Sequence, residues 1–153
     1  WDGGADQSGQ GLACARIGEG PEAARIACVA TARQGEGGVR VIRLSAAADI
    51  GRIVNHDIAK QQIEGGLVFG IGIALGNALR LRAGLPEGGD DAALGLPVIG
   101  DCPEMRIEFI ASEAPPADPG ELGAVVAPPA IANALFSATG LRLRRLPLLS
   151  DGI

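Results

Sequence analysis

Between Glu64 and Arg80 lies an uncharged stretch, Gly65 to Leu79, in which five of fifteen residues are glycine. Its apolar residues predict a helix over about 57–82, with Asn55 or Asp57 as the capping residue. From Leu67 to Leu75 no face carries a charge, which predicts a helix buried all round. The stretch falls short of the ~20 residues needed to cross a bilayer, so no membrane span is expected. Glycine inside a helix costs up to ~1 kcal/mol relative to alanine, and a chain that accepts this repeatedly uses the missing side chains. Gly66 and Gly70, and Gly72 and Gly76, are spaced i, i+4, so each pair opens a groove on one helix face. Such a groove serves close packing of another element, or close approach of a ligand near Gln62 and Glu64. Spacing alone leaves both open.

The rest of the chain must supply what packs there. At 153 residues it is one domain's worth of polypeptide, 47% hydrophobic but only 3% aromatic. The net charge of −5 argues against nucleic acid as a partner. Cys14, Cys28 and Cys102 form no CxxC pair, and His56 is the single histidine, so a metal held by protein side chains is not expected. Residues 1–9 read as a poorly ordered entry. Gly11–Ile17, Ala24–Thr31 and Val39–Leu44 read as three strands of an antiparallel meander, with the hairpin connection at Gln34–Gly38. In the third, Val39, Val41 and Arg43 share one face and Arg40, Ile42 and Leu44 the other. Residues 83–97 read as loop, Pro103–Ile110 as a half-buried strand and Leu141–Pro147 as a closing edge strand. The fold class expected is α+β, a single domain over 1–153. It comprises a small antiparallel sheet, the long Gly-rich buried helix and a shorter helix near the C-terminus. The chain begins at Trp1 with no signal-peptide pattern, as expected of a processed chain or a piece of something larger.

One carboxylate stands out by its setting. Glu121 sits between Gly120 and Gly123 on a segment rich in glycine and proline, followed by an apolar helix expected at about 128–138, with Pro128 and Pro129 at its entry and Gly140 at its end. A loop so anchored can hold one carboxylate at the mouth of a site. A solvated surface turn has the same composition.

Several stretches, taken in order, resemble one family. Asp49-Ile50-Gly51-Arg52-Ile53-Val54-Asn55, then Gln62-Ile63-Glu64-Gly65-Gly66, is similar to a segment of the molybdenum hydroxylases, the xanthine dehydrogenase and aldehyde oxidase family. Pro103 to Glu108 resembles the strand that follows there. Gly120-Glu121 with Pro129-Ala130-Ile131-Ala132-Asn133-Ala134, and the ending Ala138 to Pro147, resemble the family's last motifs. The isoquinoline 1-oxidoreductase β-subunit type is the nearest in pattern. Asp118, His56 and Leu122 depart from it, standing where a Gly, a Pro and often a Pro are found.

The resemblance implies that Glu121 is a general base beside molybdenum, with water as the source of the oxygen inserted at an electron-poor C–H carbon. It implies that Gln62, Gly65, Gly66 and Gly120 contact a molybdopterin cofactor, in its cytosine dinucleotide form. Partners implied are the rest of a large subunit, an iron–sulfur subunit carrying the clusters, and a small-molecule substrate, either an N-heterocycle or an aldehyde. The chain is far shorter than such subunits, so it reads as the C-terminal portion of one, inactive alone, in a bacterial cytoplasm or periplasm. The alternative is a noncatalytic orphan domain of the same fold, acting in packing or small-ligand binding.

Overall fold

The computed structural model describes residues 8–35, 38–76, 81–86 and 97–148. Strands β1 (Ser8–Ile17), β2 (Ala24–Gly35) and β3 (Gly38–Asp49) form the antiparallel meander. Helix α1 (His56–Leu75) follows, then a two-residue hairpin of β4 (Leu81–Arg82) and β5 (Leu85–Pro86). Strand β6 (Glu104–Phe109) and helix α2 (Leu122–Thr139) complete the elements. The four-stranded sheet has the order β1-β2-β3-β6. This is an α+β fold.

The expected meander is present, but the sheet is mixed because β6 runs parallel to β3. A parallel neighbour requires a crossover connection, and α1 lies within it. Strand β1 begins at Ser8, earlier than expected, and residues 1–7 lie outside the described residues. Strand β3 carries a register shift opposite Thr31 and Ala32. Ile42 falls in that bulge and is 39% exposed, whereas Leu44 is fully buried on the same face as Val41. Strict alternation had put Ile42 and Leu44 together, and an extra residue is what reverses them. Leu141–Leu146 is irregular rather than a strand.

Both helices cover one face of the sheet. The core alternates along the strands, as Ile26, Cys28, Ala30 and Ala32 of β2 and Leu44, Ala46 and Ala48 of β3. Burial desolvates the Cys28 thiol and pushes its pKa up to about 12. Helix α2 lies on β1 and β2, and α1 packs against α2. A Cβ on Gly11 would collide with the backbone of Ala130, Asn133 and Ala134, and one on Gly9 with Ala134 and Ala138. Strand and helix therefore meet backbone to backbone, which is where the poverty in large side chains is used.

Helix α1 ends at Leu75 rather than 82, with Gly76 as its C-cap; residues 77–80 lie outside the described residues and Leu81–Arg82 is strand. It is not buried all round. Ala59, Ile63, Leu67, Ile71 and Ala74 face inward, while Ile58 and Phe69 are 56% and 53% exposed. Helix α2 begins six residues before Pro128, so Pro128 and Pro129 stand in its interior. It is long and apolar enough to cross a membrane, yet half of it is buried in this fold, as in a core helix.

Candidate functional site

The motif around Asp49 builds a scaffold. Asp49 Oδ1 accepts from the Gly51 amide at 3.1 Å, an Asx-type turn, and Gly51 takes φ 68°, a region open to glycine. A Cβ there would also collide with the Pro115 carbonyl. The turn brings Ile50 and Arg52 alongside the 110–117 segment. The Ile110 amide donates to Ala48 O at 2.8 Å, that of Arg52 to Ala114 O at 2.9 Å, and that of Ala117 to Ile50 O at 2.9 Å. Asn55 then caps α1, its Oδ1 accepting from the Ile58 amide at 3.1 Å. His56, in place of the usual Pro, sets its ring edge-on to Phe109 at 5.8 Å.

The same segment delivers Glu121. Asp118 Oδ1 accepts from the Gly120 amide at 2.8 Å, and the Leu122 amide donates to Pro119 O at 3.2 Å. Glu121 is the N-cap of α2, with φ −95° and ψ −11°, and its carbonyl accepts the first helical bond from Val125 at 3.1 Å. Its side chain makes no capping hydrogen bond and is exposed. The expected loop through Gly123 to Pro128 is therefore helix. The carboxylate stands at the start of a buried rod rather than on a turn.

The glycines divide in function. A Cβ on Gly123 would collide with Leu67 N of α1 and lie 2.6 Å from Gly66 C and Ile63 O. A Cβ on Gly66 would lie 3.2 Å from Gly123 Cα, and one on Gly70 2.7 Å from Ala127 Cβ. Gly66 and Gly70 thus serve helix–helix contact. Gly65 does not: no described residue lies within 4 Å of where its Cβ would be, and it is exposed beside Gln62, also exposed, one turn earlier. The crossing at Gly66 and Gly123 brings the first half of α1 to the first turn of α2. The crossing sets Gly123, two residues after Glu121, against Gly66, while Gln62 and Gly65 are exposed on the same half of α1.

Asn133 has a structural part. Its Nδ2 donates to Leu12 O of edge strand β1 at 2.9 Å, and its Oδ1 accepts from Arg142 at 2.7 Å. The Arg142 guanidinium stacks 3.5 Å from the centroid of the Phe136 ring. The sequence motifs include Asp49, Gly51 and Asn133 but assign them no role, and they place Arg142 on a strand. Their partners are 2 to 121 residues away, so only the polar residue types at fixed spacing were available as a signal.

Glu121 lines none of three grooves in the surface: one of about 550 Å³ between α2 and Arg142–Leu146, one of about 480 Å³ around Cys14 and Ala27, and one of about 320 Å³ beside Arg33 and Arg40. Glu121 is exposed at the start of α2. An exposed carboxylate, a carboxamide and a bare backbone at Gly65 fit a large polar group laid against the helices from outside.

Comparison with known proteins gives these residues a context. A family model described as "Molybdopterin cofactor-binding domain" matches residues 21–103. The chain is 38% identical over 106 residues to a "Membrane-bound aldehyde dehydrogenase [pyrroloquinoline-quinone]" of Gluconacetobacter polyoxogenes, covering 69% of this chain and 14% of that protein. It is 37% identical over 123 residues to the "Aldehyde oxidoreductase molybdenum-binding subunit PaoC" of Escherichia coli K12, covering 75% of this chain and 17% of the relative. Among solved structures, the aldehyde oxidoreductase of Desulfovibrio gigas superposes with a TM-score of 0.67 at 30% identity, over 82% of this chain and 14% of that one. The chain thus spans about a sixth or less of the length of these relatives.

Proposed function

We propose a function from one premise: the chain belongs to the molybdopterin cofactor-binding domain family. It is the C-terminal part of the large subunit of a molybdenum hydroxylase that oxidises an aldehyde or an N-heterocycle, with water as the oxygen source. The observation that supports this is the contact of Gly123, two residues after the α2 N-cap Glu121, with Gly66 in the half of α1 that also carries Gln62 and Gly65. Molybdopterin with molybdenum, in the cytosine dinucleotide form, is the group this wall receives, and when bound it accepts the electrons removed from the substrate carbon.

The chain's own residues would bind, orient and move a proton. The Gln62 carboxamide offers both a donor and an acceptor to the polar edge of the cofactor. Gly65 lets that edge approach the α1 backbone, and the pair Gly120 and Asp118 holds the turn before the base. The Glu121 carboxylate takes the proton from the water-derived oxygen as that oxygen adds to the carbon. Its backbone is tied at Ala117, Pro119 and Val125, which supplies the fixed position a general base needs. An exposed carboxylate is open to water in this chain, so the rest of the subunit must close the site. Iron–sulfur clusters on a partner subunit would then carry the electrons away. By this reading the 153 residues alone do not turn over.

The test is Glu121→Gln in the full-length, cofactor-loaded protein. Turnover is expected to fall by at least ~100-fold, the usual scale for losing a general base, with molybdenum content unchanged. Unchanged turnover with molybdenum bound would overturn the assignment of Glu121. Assay of the same preparation for molybdenum and for quinone separates the molybdopterin reading from that suggested by the quinone-named relative. A full-length protein holding neither would leave the noncatalytic role.

A further inference from the structure

The face of the sheet turned away from the helices has a charge pattern that the site does not use. Six arginines lie on it, Arg16, Arg25, Arg33, Arg40, Arg43 and Arg106, against the carboxylates of Asp49, Glu104 and Glu108. This is a positive surface on a chain whose net charge is −5. Within it, like charges stand directly opposite each other: Arg16 pairs in register with Arg25, and Arg33 with Arg40. Directly opposed like charges destabilise a sheet, so an isolated sheet gains nothing from this arrangement. The available carboxylates relieve it only in part, at Arg25, which also donates to Ala23 O at 3.0 Å and Gly20 O at 3.2 Å. Glu104 is taken by Arg43 at 2.7 Å and Arg106 at 2.8 Å, and Asp49 lies 3.8 Å from Arg25. No ion pair reaches Arg16, Arg33 or Arg40 among the described residues.

Between these arginine ends the floor is small and apolar. Cys14, Ala27 and Ala47 form one row across the strands, and Leu12, Val29 and Ser45 the next. Leu12 is 47% exposed, and Ile110 beside the floor is 55% exposed. The depression over Cys14, Ala27 and Ala47 has a volume of about 480 Å³. An apolar centre framed by arginines, of which Arg16, Arg33 and Arg40 have no ion pair among the described residues, has the anatomy of a protein interface core with a charged rim. Its complement is an apolar ridge with carboxylates on either side.

We propose that this open sheet face docks an acidic-rimmed apolar surface belonging to the rest of the same polypeptide. The choice of source rests on the reading above, that the chain is part of a longer subunit, since the relatives are about five times its length. Carboxylates from that surface sit between Arg16 and Arg25 and between Arg33 and Arg40, which turns both repulsive pairs into anion clamps. The cofactor wall and the docking face are then opposite sides of one sandwich. One side meets the cofactor and the other anchors the domain in its subunit.

Cys14 reports on this directly, because it is exposed in this chain and lies in the middle of the floor. The experiment is N-ethylmaleimide labelling of the full-length protein, read residue by residue by mass spectrometry. Cys14 is expected to react at least tenfold more slowly in the native protein than in the same protein unfolded in urea. Cys28, buried and with its thiol pKa near 12, serves as the fully protected reference. Arg33→Glu sharpens the test, since it places opposite charges across the strands at Arg40. If the arginines acted only within the sheet, this variant would be more stable and Cys14 would stay protected. Docking predicts instead that Cys14 labelling rises at least fivefold. Cys14 reacting at its unfolded rate in the native, molybdenum-loaded protein would overturn the proposal while leaving the cofactor reading intact. Protection that appears only when a separate subunit is added would overturn the choice of the chain's own polypeptide.

Discussion

At the scale of single residues, adjacent glycines have opposite surroundings. Gly65 and Gly66 sit side by side in one motif, yet a Cβ on Gly66 would crowd Gly123 at 3.2 Å and one on Gly65 would meet no described residue within 4 Å. Substitution should separate them. Gly123→Ala forces a methyl into the α1 backbone at Leu67 and is expected to cost about 1–3 kcal/mol, the range for overpacking a core. Gly65→Ala meets nothing and should stabilise α1 by up to ~1 kcal/mol through helix propensity. The urea midpoint of the purified protein checks both. If Gly65 serves the cofactor, its alanine variant should also hold less molybdenum despite the added stability. A Gly65→Ala protein with full molybdenum content would remove that residue from the wall.

At the scale of elements, α2 is the member around which the others are arranged. Strands β1 and β2 lie on one side of it and α1 on another, and the Glu121 carboxylate stands at its start. A helix with two interior prolines loses donors that would bond the Ala124 and Val125 carbonyls, a cost of roughly 3 kcal/mol or more. Burial of Leu122, Val126 and Ile131 offsets it, since each large apolar side chain contributes about 1.5–3 kcal/mol. Asn133 adds a polar latch, joining α2 to the exposed edge of β1 and to the returning chain at Arg142. Asn133→Ala should cost about 1–2 kcal/mol and leave Arg142 without its acceptor. Hydrogen exchange is expected to quicken in β1 and over residues 141–146, with α1 little changed. Equal acceleration throughout would mean that the latch is not local.

At the scale of the whole molecule, both surfaces of the two-layer fold are left incomplete. On the helix side Val54, Ile58, Phe69 and Val125 are at least half exposed, and on the sheet side the small apolar floor lies open. The isolated 153-residue chain is therefore expected to self-associate, as exposed apolar patches of this kind do. It is also expected to retain no stoichiometric molybdenum, which elemental analysis after gel filtration would check. Retention of one molybdenum per chain would refute the idea that the cofactor site needs more polypeptide.

The division between what is local and what is not accounts for how much could be read beforehand. The meander, β6, the start of α1 and its Asn55 cap follow from alternation, turn residues and capping, which act over a few neighbours. The order of the motifs around Asp49, Gln62 and Glu121 was likewise enough to indicate a molybdopterin-binding domain. What the residues could not say was where α2 begins, because propensity stops a helix at Pro128 while burial against β1, β2 and α1 carries it back to Leu122. Nor could they say that Gly66 packs and Gly65 does not, or that Arg16 faces Arg25 and Arg33 faces Arg40. Those facts belong to the register and crossing of elements distant in sequence, and energies of contact between such elements are written only in the tertiary structure.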